Sequence, residues 1–500
     1  MCAAKISLLQ EIYKKWVQIF ALIHKSSYLC AMTLPIWLNI VVIIFALNIA
    51  VVVLTQHRRP TETLAWILML YFLPVLGILL YYFFGVPAML RPLISRERLA
   101  ELKAHTAAYR ASYPTEEGQG WTRLINLLEN NNYAYLVGGN SIRVFTVCGE
   151  MFEAMKEDIL AARHHVHIMF FMIEDDIVGD AFADILIDKA RQGVEVRLMY
   201  DAAACIGVPR SFFRRMKEGG VRVEAFSPLF PHLSPFSNYR NHRKVLVVDG
   251  VVGYAGGMNL AERYLKGIRG GVWRDTHLRI EGPAVTELQT TFLTDWQFAS
   301  DEWVHDKAYY PPQPQAGNLL MQVVTSNPTA KFRVMDLSYS QILYTATSYV
   351  YLQSPYFVPS EAIRKALYAA AFSGVDVRVM IPTYPDKGWV VIYASRWYIE
   401  QMLDAGVRVF FYDNGYLHAK TIVADDRMCT VGSVNIDHRS ISQSFEVSAF
   451  IYDGETAKQQ RQTFLNDLQY CHEIKKNEWR RRSRWQRLKE SVCRLAAPIL

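Results

Sequence analysis

The sequence predicts an α/β protein of two tandem halves, preceded by a hairpin of two apolar helices. Three observations carry that reading. Two long uncharged runs lie near the N-terminus, a strand–helix–strand pattern occurs twice, and one polar motif recurs at a constant offset.

No residue between Lys25 and His57 is charged, and Leu34–Leu54 reads LPIWLNIVVIIFALNIAVVVL. A second uncharged run lies between Glu62 and Arg91, with LAWILMLYFLPVLGILLYYFF over Leu64–Phe84. Each is 21 residues long, and about 20 suffice to cross the hydrocarbon core of a bilayer. Both exceed the apolar stretch of a cleaved signal peptide, and no small-residue cleavage site follows closely. The loop Gln56–Thr63 is short, so a transmembrane helical hairpin is expected over 34–86, with 1–33 an amphipathic juxtamembrane segment. Lys5, Lys14, Lys15 and Lys25 precede the first run, and Arg91, Arg96, Arg98 and Lys103 follow the second, against Arg58 and Arg59 in the loop. That asymmetry places both ends, and the large body after Arg91, in the cytoplasm. Seven cysteines scattered singly, with no C-x-x-C pair, agree with a reducing compartment.

Composition excludes other classes. Apolar residues form 51% of the chain and mean hydropathy is +0.05, too apolar for a disordered or collagen-like chain. The net charge is +7, yet the last 26 residues, from Lys475, hold nine Lys/Arg and two Asp/Glu and so carry all of it. The rest sums to zero, which argues against nucleic acid as a partner. In the tail, Trp479, Trp485, Leu488, Val492 and Leu495 alternate with the cations, a pattern suited to an anionic membrane surface.

After a connecting segment (87–135) the repeat begins. Strand-like HVHIMFFMI (165–173), helix-like DAFADILIDKARQG and strand-like VEVRLMYD (194–201) reappear as SYVYLQSPYFV (348–358), EAIRKALYAAAFSG and VDVRVMIP (375–382). GGVRVEAF (219–226) and AGVRVFFY (405–412) extend the correspondence. The halves are bounded at 136–312 and 313–474, with Pro311–Pro314 between them and the basic tail at 475–500.

Within the repeat, HRKVLVVDGVVGYAGGMN from His242 matches HAKTIVADDRMCTVGSVN from His418. The pairs His242/His418, Lys244/Lys420, Asp249/Asp425, Gly256/Gly432 and Asn259/Asn435 all stand 176 residues apart. Histidine and lysine two positions apart on a strand share a face. Asp249 and Asp425 complete the catalytic signature but have odd parity, so they are expected to hold the turn. The Gly-Gly and Gly-Ser pairs allow a tight turn that returns the asparagines towards the histidines. Asn259, Asn435, Gly257 and Ser433 are therefore expected to bind phosphate.

A duplicated His–Lys–Asn set suits a phosphodiester. Lysine neutralises the non-bridging oxygens and asparagine donates to them. One imidazole attacks phosphorus, and the other protonates the leaving alkoxide and later deprotonates the incoming alcohol. Each imidazole needs an acceptor on its other nitrogen. Candidates stand at similar distances downstream, Asp275 after His242 and Glu446 after His418. No metal is required, because the lysines supply the positive charge, and the other histidines, His164 and His165 among them, lack ligand spacing.

The duplicated H-x-K-x4-D with trailing G-G-x-N and G-S-x-N resembles the phospholipase D superfamily. The apolar TLAWILMLYFLPVLGILLYYFFG, NYRNHRK, QSPYFVPS, DHRSIS and the ending RLAAPIL are similar to bacterial cardiolipin synthases. The resemblance implies two phospholipase D-like α/β/α sandwich halves forming one catalytic unit at the bacterial cell membrane. It also implies transfer between two phosphatidylglycerol molecules, giving cardiolipin and glycerol without a cofactor. By the same resemblance His242 is the nucleophile and His418 the general acid/base. Ser444 stands where many members carry Asn. The motif alone leaves open a hydrolytic phospholipase D or a phosphatidylethanolamine donor, since water and glycerol-type hydroxyls attack the same intermediate. A scaffold without catalysis is disfavoured because both motif copies are complete.

Overall fold

The computed structural model describes residues 36–55, 60–85, 94–112, 119–227, 239–268, 271–384 and 388–495. The expected segment at 1–33, the loop tip at 56–59 and the last five residues of the tail lie outside them. The chain divides into two units, Met1–Pro87 and Ala88–Leu500.

In the first unit Ile36–Thr55 is one uncharged helix, with Ile44, Phe45, Leu47 and Val51 exposed. Asn48 satisfies its amide on the Ile44 carbonyl. The second apolar run is not the single span expected. It forms Pro60–Phe72, then Pro74–Leu80, then a π-helical turn at Tyr81–Gly85. Pro74 has no N–H to give the preceding turn and its ring crowds that turn, so Leu73 leaves helical geometry with φ −133° and ψ 64°. Among the described residues no helix is long and apolar enough to cross a membrane; within Ile36–Thr55 the side chains of Trp37, Val52 and Thr55 are outside the described set.

The second unit is built on one 16-stranded sheet. At its centre Val137–Phe145 and Leu319–Ser326 pair antiparallel. Outward on one side follow His277–Glu281, Val252–Gly256, Lys244–Val248, His165–Phe170, Glu195–Asp201 and Arg222–Phe226. On the other side follow Ser444–Tyr452, Met428–Gly432, Thr421–Ala424, Tyr349–Gln353, Asp376–Pro382 and Arg408–Tyr412, with Cys471–Glu473 at the edge. The two series correspond strand for strand. In each, the last three strands named before the edge are parallel, as helical crossovers require.

Local chemistry explains these units. Asp176 caps the helix Ile177–Arg191 by accepting from the Val178 and Gly179 amides, and Ser360 caps Glu361–Phe372 through the Ile363 amide. Gly193 and Gly374, at φ +89° and +88°, turn each chain from its helix into the next strand, a conformation in which a side chain is strained. Strand residues alternate between faces: Val245 and Val247 enter one core, Leu246 and Val248 another. The first core spans both halves, under the helices Val285–Ser300 and Gly454–Asp467; on the opposite face each half keeps its own core.

The connecting segment also belongs to this body. Leu102 joins the shared core, while Trp121, Leu124 and Leu128 of the helix Gln119–Asn132 pack in the core of the second half. Gln322 fastens them by donating to the Ile125 and Ala134 carbonyls. The stretch between the halves is tied down too, Gln313 donating to the Gly250 carbonyl. All five described cysteines are free.

Candidate active site

Each motif enters the site on the other half of the molecule. Arg240–Asn241 runs parallel to the start of Ser444–Tyr452, with Arg240 beside Ser444 and Asn241 beside Phe445. The His242 amide then donates to the Phe445 carbonyl at 2.9 Å. In the same way Gly415–Leu417 runs parallel to Val272–Arg274, and the His418 amide donates to the Arg274 carbonyl at 2.7 Å.

This exchange corrects the expected histidine–carboxylate pairs. His242 Nδ1 lies 3.0 and 3.1 Å from the Glu446 carboxylate oxygens, and His418 Nδ1 lies 2.6 Å from Asp275 Oδ2. Asp275 therefore serves the second histidine and Glu446 the first, although each follows the other histidine in the chain. Distance along the sequence misled because the strand after each motif returns across the sheet to meet the opposite half. Both carboxylates are fully buried. With Nδ1–H donating to them, each imidazole keeps Nε2 for chemistry.

Lys244 and Lys420 are buried beside their histidines, each ammonium donating to the carbonyl of the histidine two residues before it. Burial, partly offset by Glu446, brings Lys244 down to about 7. Burial, offset by Asp275 and Glu446, brings Lys420 down to about 8. The histidines are also lowered. Burial leads in both; Glu446 opposes it at His242, while Lys420 reinforces it at His418, which falls to about 3. Asp275 stays below the usual carboxylate range: burial is the largest influence and raises it, but Lys420, His418 and the Thr276 amide together outweigh it. The free centre thus holds neutral imidazoles, with Asp275 anionic beside His418.

The motif aspartates stand away from the chemistry. About 16 Å of extended strand separates Lys244 from Asp249. Asp249 accepts from the Arg163, His164 and His165 amides, and Asp425 accepts from the Thr347, Ser348 and Tyr349 amides. Both adopt positive φ, +51° and +54°. They cap the loop into the neighbouring strand, the turn-holding role that their parity predicts, and their place in the catalytic signature is structural.

Of the four expected phosphate binders, Asn259 and Ser433 already hold protein partners. Asn259 donates to the Tyr264 hydroxyl at 2.6 Å and accepts from the Met172 amide. Asn435 is buried, with no partner for its carbonyl oxygen. The Ser433 hydroxyl donates to Glu446 at 2.5 Å. At the matching position Gly257 lies so close to Asp275 that a Cβ would fall 2.0 Å from Oδ1. Gly257 and Ser433 therefore support the two carboxylates.

Two buried arginines had no place in the sequence reading. Arg243 donates to the Glu446 carbonyl at 3.0 Å and to both oxygens of Asp295 at 2.5 and 2.6 Å. Arg274 donates to the Asp275 carbonyl at 2.5 Å and to Asp467 at 3.0 and 3.1 Å. Each arginine thus holds the main chain of an orienting carboxylate. A signal was available: TDWQF around Asp295 and NDLQY around Asp467 share a spacing within the repeat. Among the described residues no group of three or more His, Cys, Asp or Glu is arranged to hold a metal ion.

A two-lobed α/β body in which each lobe supplies one histidine–lysine pair to a common centre is the phospholipase D-like class. A family model described as "Cardiolipin synthase, PLD-like domain" matches residues 155–296 and 339–468, and one described as "Phospholipase_D-nuclease N-terminal" matches 37–85. The chain is 39% identical over 483 residues to the major cardiolipin synthase of Bacillus subtilis strain 168, covering 91% of this chain and 98% of that protein. It is 38% identical to a cardiolipin synthase of Oceanobacillus iheyensis over 471 residues, with 91% and 98% covered. It is 36% identical to one of Staphylococcus aureus strain N315 over 501 residues, with 97% and 100% covered. The fold is shared with a phosphatidylserine synthase of Haemophilus influenzae at TM-score 0.60 and 12% identity, covering 76% of this chain and 99% of that one. The chain belongs to the bacterial cardiolipin synthases of the phospholipase D superfamily.

Proposed function

We propose that the chain transfers a phosphatidyl group from one phosphatidylglycerol to another, forming cardiolipin and releasing glycerol. The crossed pairing carries this reading: each imidazole is oriented by a carboxylate of the other half, and two lysines lie beside them. His242 Nε2 attacks phosphorus and the bond from phosphorus to the glycerol oxygen breaks. His418 gives that oxygen its proton. His418 then takes the proton of the incoming phosphatidylglycerol hydroxyl, whose oxygen attacks phosphorus as the phosphorus–nitrogen bond breaks. Glu446 stabilises the positive charge that grows on His242, and the lysines stabilise the phosphoryl oxygens. The entering phosphate anion offsets the burial that lowers His418, so the imidazole gains the proton the first step needs.

In this reading Ile36–Thr55 and the bent run ending at Gly85 form a membrane hairpin, with the body on the cytoplasmic side of the bacterial cell membrane. The exposed apolar side chains of Ile36–Thr55 and the basic residues flanking the hairpin support it. We take 136–312 and 313–474 as the two lobes. The test is a lipid assay on the purified full-length protein with phosphatidylglycerol vesicles and EDTA present. Glycerol and cardiolipin are expected in equal amounts. Phosphatidic acid as the main product would indicate a hydrolase, and phosphatidylethanolamine-dependent synthesis another donor. His242→Ala and His418→Ala should each abolish turnover.

A further inference from the structure

The tail from Lys475 is not a loose basic strand. It folds as Lys476–Arg480 and Arg484–Arg494 and packs along the helix Trp389–Ala405. Lys476 and Arg480 pair with Asp404, and Arg482 pairs with Glu400 and Glu490. Several of its cations are therefore consumed within the protein. Glu490 and Cys493 of the last helix are buried, facing inward. At 100° per residue, the opposite side carries Trp485, Leu488, Val492 and Leu495, which are 71%, 50%, 57% and 72% exposed. A helix in an ordinary soluble body turns such a stripe inward; this one turns it out. Arg484 and Lys489 flank the stripe on either side, and neither is ion-paired among the described residues.

We propose that the apolar face of Arg484–Leu495 is a second membrane contact, lying in the interface of an anionic bilayer. The occupant follows from the charge pattern. The stripe offers apolar area for the acyl boundary, and the flanking cations stand where long basic side chains reach headgroup phosphates. Arg481 is exposed and outside the described ion pairs as well, which adds to the attraction. A second copy of the chain would bring the same cations against themselves. The contact uses no residue of the apolar hairpin and no catalytic group. It would seat the second lobe on the surface that holds lipid substrates.

The test uses the full-length protein in vesicles. The emission of wild type minus Trp485→Phe isolates Trp485 among the eleven tryptophans. In phosphatidylglycerol vesicles that difference should be blue-shifted and quenched by brominated acyl chains. Leu488→Glu combined with Val492→Glu should abolish the quenching while activity in detergent micelles is retained. Arg484→Gln or Lys489→Gln should each weaken docking about fivefold, with added salt acting in the same direction. Water-like Trp485 emission in every vesicle would overturn the proposal. So would shielding that depends on protein concentration and not on lipid, since a second copy would then cover the stripe. Glycerol release in micelles is scored separately, so failure of docking and failure of the chemistry are distinguished.

Discussion

The half-site around His242 and the half-site around His418 are built from the same parts in exchanged positions. In the first, Arg243 stands within the motif and Phe445 precedes the orienting Glu446. In the second, Ala419 stands within the motif and Arg274 precedes the orienting Asp275. Each half-site holds one arginine, supplied from opposite strands, and each arginine reaches the carbonyl of its orienting acid and a buried aspartate. The small positions differ as well. Ser433 gives Glu446 a hydroxyl, whereas Gly257 leaves room for Asp275 to approach, and Lys420 lies 3.8 Å from Asp275. The fold is repeated while the two imidazoles are tuned apart. A duplicated scaffold can thus supply a nucleophile and an acid/base from one motif.

The crossed pairs predict the largest effects beyond the histidines themselves. Glu446→Gln should stop formation of the phosphohistidine on His242, and Asp275→Asn should impair proton transfer at His418, each by roughly 10²–10⁴-fold in kcat. Trapping of phosphoenzyme from labelled phosphatidylglycerol separates them. Equal trapping in both variants would break the assignment of distinct roles.

The arginine exchange comes next. Arg243→Ala leaves Asp295 buried without its cation, which should cost about 3–5 kcal/mol of stability by chemical denaturation. Adding Phe445→Arg rebuilds the arrangement of the other half-site and should recover part of that loss together with kcat. Recovery of stability without kcat would show that the arginine only fills the core.

The motif aspartates should matter less. Asp249→Ala or Asp425→Ala orphans three backbone amides and should destabilise by about 1–3 kcal/mol, with the pH dependence of the remaining activity unchanged.

The smallest effect is one of pH. Burial holds Lys244 and Lys420 down to about 7 and about 8, and in the proposed mechanism it is their cationic forms that stabilise the phosphoryl oxygens. In the free enzyme kcat/KM should therefore fall as pH rises through that window. Lys244→Arg should move the alkaline limb upward, because guanidinium keeps its proton.

Much of this was legible beforehand. The strands 165–170 and 349–353 and the helices after them show in the apolar patterning, and the constant offset of 176 residues marks both His–Lys pairs. Pro74 was visible as well, yet an uncharged run over Leu64–Phe84 outweighed it, and the helix bends there. The segment 87–135 is expected only to connect the hairpin to the repeat, but Trp121, Leu124 and Leu128 sit on one helical face and fill the second lobe's core.

The sequence by itself determined the duplication, the two His–Lys pairs and the turn-holding aspartates. These depend on spacing within one strand and its next turn. Tertiary structure alone decided which acid serves which histidine and which arginine supports which acid. Those partners lie 143 and 204 residues apart for the histidines. They meet because the halves join through an antiparallel central pair, so each motif strand docks on its counterpart's lobe.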